Sequence, residues 1–342
     1  MSTPTTSRPK WPFHLSATLA VAVLAAFVVP AASSANTHKV QGVRAGIEGG
    51  TLEVKGGNRA DALALRLKAG DEARVEVDVG DDGSADFSFA RSDLSAIEVK
   101  AGGGRDSVRV DDTNGAFTDS IPTTIAGGRG SDSLKGGLGA ETFRGGRGND
   151  TVVGGKGGDR AHLGRGNDTF RWDPGDGSDV IEGQRGRDTM LFNGAAVPEN
   201  VTLSANGGRL RFFRTQGNVT MDTDDVETVD FNALGGADDI TVDDLTGTDV
   251  RHTNLDLAGT LGGSTADGAD DNVVVDGTHG NDRIDIERSG SGADVKGLAT
   301  AVSVKHADST DRLSVNTLEG TDNVLVNGVA GVLQVLVDGS PV

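Results

Sequence analysis

A nine-residue repeat constrains this chain more than any other feature. From Gly127 the sequence reads GGRGSDSLK, GGLGAETFR, GGRGNDTVV, GGKGGDRAH and LGRGNDTFR. Glycines hold positions two and four, and an acid holds position six (Asp132, Glu141, Asp150, Asp159, Asp168). Position eight is apolar: Leu134, Phe143, Val152, Ala161 and Phe170. After a two-residue insertion, Trp172-Asp173, the frame resumes as PGDGSDVIE and GQRGRDTML. These units add Asp179 and Asp188 at position six, with Ile181 and Met190 at position eight. Self-similarity at a fixed short period is the mark of stacked coils, each too small to bury its own apolar face.

Glycine is needed where the chain turns through positive φ and where backbones crowd. Three residues with one central apolar side chain make a very short strand that buries position eight. One turn and one strand reverse the chain once, so two units close a coil of eighteen residues, and stacked coils form two parallel sheets. Eighteen-residue spacing places Asp132, Asp150, Asp168 and Asp188 along one edge, and Glu141, Asp159 and Asp179 along the other. Carboxylates on neighbouring strands about 4.8 Å apart repel by roughly 1 kcal/mol in water and about 3.5 kcal/mol at an effective dielectric near 20. A hard divalent cation between them reverses that sign. Calcium suits the place, because it takes six to eight oxygens and glycine turns offer carbonyls beside each carboxylate; magnesium is smaller and dehydrates reluctantly.

GGxGxD followed by x-apolar-x resembles the calcium-binding nonapeptide repeat of the RTX, or haemolysin-type, proteins. The resemblance implies an all-β fold, a right-handed parallel β-roll or β-solenoid, with Ca2+ held between successive turns by position-six acids and backbone carbonyls. Carried over to this chain, the metal residues are Asp132, Asp150, Asp159, Asp168, Asp179 and Asp188, with Glu141 as a longer substitute. The turn glycines Gly128, Gly130, Gly146, Gly148, Gly164 and Gly166 belong to the same sites. The clear resemblance spans residues 127–191 and departs from the family in three respects. Residues 127–171 carry eight basic side chains against five acids, with Arg129, Arg147, Lys156 and Arg165 at positions usually acidic. They either point into solvent or lean onto the carboxylates and replace the metal with salt bridges. The export signal is N-terminal, whereas many RTX proteins share a C-terminal one. Leu163 replaces a glycine, which is expected to strain its turn.

Residues 1–35 differ from the rest. Arg8 and Lys10 precede an apolar run from Leu15 to Val29, and Ser33-Ser34-Ala35 offers small residues for cleavage, the pattern of a secretory signal peptide. Its removal takes away two positive charges and no negative ones, so the formal charge goes from −19 to −21. Such a chain is a poor nucleic-acid ligand and a natural partner for cations. It has no cysteine, which excludes disulfides, thiolate metal sites and cysteine nucleophiles. No stretch after the leader is apolar enough to span a bilayer.

Flanking the block, 36–126 and 192–342 read as β-rich regions, the latter a possible continuation of the solenoid. Asp61–Lys68 is the one stretch compatible with a helix. The frame recurs singly at Asp106, Asp238, Asp282 and Asp322, where isolated acids in turns are expected to be structural. No His-Glu-x-x-His, Gly-x-Ser-x-Gly, GxGxxG or P-loop pattern is present, and the histidines are scattered singly. The expected protein is exported, non-catalytic and calcium-binding, with repeats that order on binding metal. The alternative is a structural or adhesive solenoid of the cell surface or matrix, self-associating, with calcium as scaffold. A polysaccharide-acting enzyme on the flank of a β-helix is a third reading.

Overall fold

The computed structural model describes residues 38–342; the expected leader, 1–35, lies outside them. The described backbone is nearly all strand, with three single-turn 3-10 segments and no α-helix, and so no helix able to cross a membrane. The strands form two sheets, of sixteen and fourteen.

Within the repeats the chain alternates between them. Thr123–Arg129, Glu141–Arg147, Arg160–Gly166 and Val180–Gly186 are parallel neighbours in the first sheet. Ser133–Lys135, Thr151–Val153, Thr169–Trp172 and Thr189–Asn193 are parallel neighbours in the second. Leu134 pairs with Val152, Val152 with Phe170, and Phe143 with Ala161, which is the eighteen-residue register. The inserted Trp172-Asp173 lengthens the next coil to twenty, so that Phe170 meets Met190 and Ala161 meets Ile181. The fold is the parallel β-roll that the repeat implies.

One difference from the simple turn-and-strand unit matters for the sites. Strands of the first sheet are seven residues long, because the glycine segment stays in the ladder: Gly128 pairs with Gly146, and Gly146 with Gly164. At φ of +112°, +120° and +116° these positions bend without leaving the sheet, which a side-chain-bearing residue does poorly.

The same two sheets extend into both flanks. Thr51–Lys55 and Ala96–Gly103 lead into the first sheet's repeat strands, and Ala62–Lys68 and Ser107–Asp111 into the second's. The helix-compatible stretch is therefore strand, with Leu63, Leu65 and Leu67 on the core. Beyond the repeats, Thr228–Asn232, His252–Asp256 and Ala301–Lys305 continue the second sheet. Asn200–Asn206, Asp239–Val242, Asn272–Asp276 and Arg312–Asn316 continue the first. Antiparallel strands such as Arg209–Arg214 and Gly292–Lys296 are spliced into the sheets between coils.

The core is the seam between the sheets, where Ile125, Phe143, Ala161 and Ile181 meet Leu134, Val152, Phe170 and Met190, all buried. Where the short coils end, Trp172 stacks on Phe192 at 4.0 Å and 5° between planes. Phe212 and Phe231 close around Phe192 with centroids at 4.4 and 5.9 Å. Phe192 thus holds repeats and C-terminal flank together. Phe192→Ala is expected to cost about 3–5 kcal/mol in urea unfolding at fixed calcium; a loss below about 1 kcal/mol would show that the four rings do not pack as a unit.

Candidate metal centre

Each position-six acid lies two residues before its position-eight core residue, and strand alternation turns both side chains to the same inner face. Asp132, Glu141, Asp150, Asp159, Asp168, Asp179 and Asp188 are accordingly no more than 2 % exposed. Burying a carboxylate is costly unless its oxygens are satisfied, and one oxygen of each is. On the first edge the backbone N–H of Asp132 donates to Asp150 Oδ1 (2.8 Å), that of Asp150 to Asp168 Oδ1 (2.7 Å), and that of Asp168 to Asp188 Oδ1 (2.8 Å). On the second edge Glu141 donates to Asp159 Oδ1 (2.7 Å) and Asp159 to Asp179 Oδ1 (2.9 Å). The structure brings together the two sets of acids that the spacing assigned to the two edges.

The other oxygen has no such partner. Oδ2 of all six aspartates and Oε1 of Glu141 are buried without a hydrogen bond. In four units the orphan oxygen lies against the unit's first glycine: a Cβ on Gly127 would stand 2.5 Å from Asp132 Oδ2, one on Gly145 2.6 Å from Asp150 Oδ2, one on Gly154 2.4 Å from Asp159 Oδ2 and one on Gly183 2.9 Å from Asp188 Oδ2. The same imagined Cβ at Gly127 would stand 2.9 Å from the carbonyl oxygen of Gly145, in the next coil. Carboxylate and carbonyl oxygens thus converge on spaces left open by the missing side chains of Gly127 and Gly145. Among the described residues no three acidic or histidine side chains cluster as a metal site, so a cation here must draw most ligands from the backbone. That donor set, all oxygen and largely carbonyl, fits calcium.

Burial raises the carboxyl pKa values against the pull of the backbone N–H bonds. Asp150, Asp179 and Asp188 are pushed up to about 7, Asp159 to about 8 and Asp168 to about 6, desolvation being the largest cause, with neighbouring ladder acids adding to it at Asp150, Asp159, Asp179 and Asp188. Asp132 and Glu141 are raised for the same reason.

Two expectations need correction, and one open alternative is decided. The flanking acids are not isolated. Asp61 donates its N–H to Asp106, and Asp106 to Asp132, both at 2.8 Å, while Asp188 donates to Glu227 at 2.7 Å, so the first ladder runs from Asp61 in the N-terminal flank to Glu227 in the C-terminal one. A further ladder joins Glu199, Asp238, Asp271 and Asp311 at 2.7–3.0 Å, and Asp282 donates to Asp322 at 2.8 Å. Asp238 and Asp271 are pushed up to about 8 and 7 by the same burial. Inserted strands spread these acids over 26 to 45 residues, which hides their stacking from a search at period nine. Next, Arg129, Arg147, Lys156 and Arg165 form no ion pair with the carboxylates: the acids face inward and these side chains outward. Finally, Leu163 keeps ordinary backbone angles and buries its side chain completely. The strained position is Gln184, at φ +74° where the other units carry glycine.

Comparison with known families adds an independent line. The model of the RTX calcium-binding nonapeptide repeat matches in four copies, over 123–152, 136–170 and 175–194. Residues 123–194 are RTX repeats. RTX nonapeptide repeats bind Ca2+, as a structural rather than catalytic element. No curated protein matches the chain.

The pKa shifts set a pH dependence. Unfolded, the RTX carboxyls titrate near 4; folded, they hold their protons to about 6–8. The folded state therefore binds more protons between those values, and the metal-free protein loses stability as pH rises from about 4 to about 8. Calcium held by the deprotonated carboxylates would oppose that loss. Melting temperature in calcium-depleted buffer is expected to be higher at pH 5 than at pH 8, with the larger calcium-induced rise at pH 8. Equal metal-free values at both pH would mean that the ladder ionises like exposed carboxylates.

Proposed function

We propose that this protein is an exported, non-catalytic calcium-dependent scaffold whose RTX repeats complete their folding when Ca2+ enters the turns. The orphaned, buried second oxygen of each ladder carboxylate carries this reading. Asp132, Asp150, Asp168 and Asp188 would hold metal on one edge, and Glu141, Asp159 and Asp179 on the other. The turn glycines Gly128, Gly130, Gly146, Gly148, Gly164 and Gly166 would keep the backbone close enough for their carbonyls to share it. Calcium would supply the positive charge that buried carboxylates lack.

The regions 36–126, 127–191 and 192–342 then have distinct parts in one solenoid. The middle carries the densest metal ladder, and the flanks, with larger apolar coils, hold it from both ends. A chain with a leader at 1–35 reaches surroundings rich in calcium, where weak sites suffice. In low calcium the repeats would stay loose, since a ligand that binds only the folded state stabilises it by mass action.

The test separates the two carboxylate oxygens. Asp150→Asn and Asp168→Asn keep Oδ1 for the backbone N–H and replace the orphan oxygen with an amide. With calcium at about a hundredfold excess over its Kd, each lost site is expected to remove about 2.7 kcal/mol of the calcium-dependent stabilisation. Without calcium the variants should match or exceed the parent, having one buried charge fewer. A parent whose melting temperature and circular dichroism ignore millimolar calcium, or variants that respond to it as the parent does, would sink the proposal.

A further inference from the structure

The outward face of the same turns holds a second feature. Arg129 pairs in register with Arg147, Arg147 with Arg165, and Arg165 with Arg185, giving a column of four exposed guanidinium groups at strand spacing, about 4.8 Å. Like charges directly opposite each other oppose sheet formation, so such a column needs a reason. Other arginines of the sheets, such as Arg66, Arg109, Arg209 and Arg214, bond to carboxylates. Among the described residues no carboxylate lies within ion-pair distance of any member of the column. The next outward positions are neutral, Ser131, Asn149 and Asn167, and their side-chain oxygens are used to accept N–H groups from the following coil.

The column is one wall of a trough of roughly 1080 Å³. Its floor is the backbone of Gly102, Gly128, Gly146 and Gly164, in register across the coils. Arg144 and His162, paired with each other, stand on the far side. The trough is lined by Arg129, Arg144, Arg147, Arg165 and Arg185, in a chain of formal charge −19. A concentrated field of the opposite sign to the net charge steers anions to one place, and guanidinium forks grip carboxylates and sulfates bidentately.

We propose that this trough binds a linear anionic polysaccharide, with acidic groups along the chain engaging the column Arg129, Arg147, Arg165 and Arg185. An extended chain of sugar rings advances per ring by about one strand spacing while turning about its axis, so acids return to the arginine side at whole multiples of the rung spacing. A flat glycine floor admits the faces of the rings. Nucleic acid fits less well: no aromatic side chain lines the trough to stack a base.

The test is binding of a homopolymeric uronate to the full chain by calorimetry at constant calcium, beside the neutral polymer of the same backbone and single-stranded DNA of matched length. The uronate is expected to bind, the neutral polymer not, and affinity should fall steeply from about 50 to about 200 mM salt. Replacing the four arginines with Gln should weaken uronate binding at least about tenfold, whereas Arg283→Gln and Arg312→Gln, elsewhere on the sheets, should not. If the quadruple variant loses its circular dichroism, single Arg147→Gln and Arg165→Gln variants and protection of these arginines from phenylglyoxal by the uronate give the same reading. Uronate binding that is absent, unchanged in the variants, or matched by DNA overturns the proposal.

Discussion

Everything in the repeat block depends on one hydrogen bond, repeated from coil to coil, in which the backbone N–H of a position-six acid is accepted by Oδ1 of the acid one coil later. It ties successive turns together where the strands are too short to do so by sheet bonds alone. It also fixes the side chain's orientation, because a carboxylate held by one oxygen must aim the other in a set direction. That direction is inward, toward the first glycine of the unit. Register, burial of the acid and the orphan oxygen are consequences of the same contact.

This arrangement explains why the core of the repeats is thin yet the acids are buried. Each short coil offers one apolar side chain per strand, and the remaining interior near the turns is filled by carboxylates and backbone. At most units the close approach of neighbouring coils leaves no room for a Cβ there, Leu163 being the exception. The interior at the turns is polar by steric necessity, and a polar interior that carries charge asks for a counter-charge. Calcium is the smallest change in composition that provides it. The flanks solve the same problem differently, with longer coils, more valine and leucine, and fewer buried acids per strand.

Much of this was legible in the residues. The period of nine, the acid at position six and the apolar residue at position eight were enough to give coil length, parallel pairing and the two separate edges of acids. The ladders of the flanks were not legible, because Arg209–Arg214 and Gly292–Lys296 are spliced between coils and carry Glu199, Asp238 and Asp271 far from any constant spacing. The direction of Arg129, Arg147 and Arg165 was also undecided from sequence, since an alternating pattern is interrupted where glycines take positive φ. Leu163 misled for a related reason. Position one keeps an ordinary backbone angle, so a side chain can stand there, as Leu163 does. The positive angle is the demand at positions two and four, as at Gly128 and Gly130, and Gln184 meets it at +74°.

The ladder also has a direction. In every rung the donor precedes the acceptor in sequence: Asp61 to Asp106, Asp132 to Asp150, Glu199 to Asp238, Asp282 to Asp322. No coil can therefore satisfy its own buried amide; it waits for the coil that comes after. A polypeptide delivered N-terminus first, as every ribosome delivers it, carries at each moment one open rung at its growing end. Closure advances one coil behind delivery, and the last coils act as the lock that completes the whole series. Truncation from the C-terminal side should thus expose an unfilled rung at whichever coil becomes terminal, whereas truncation from the N-terminal side removes donors and leaves the remaining rungs closed.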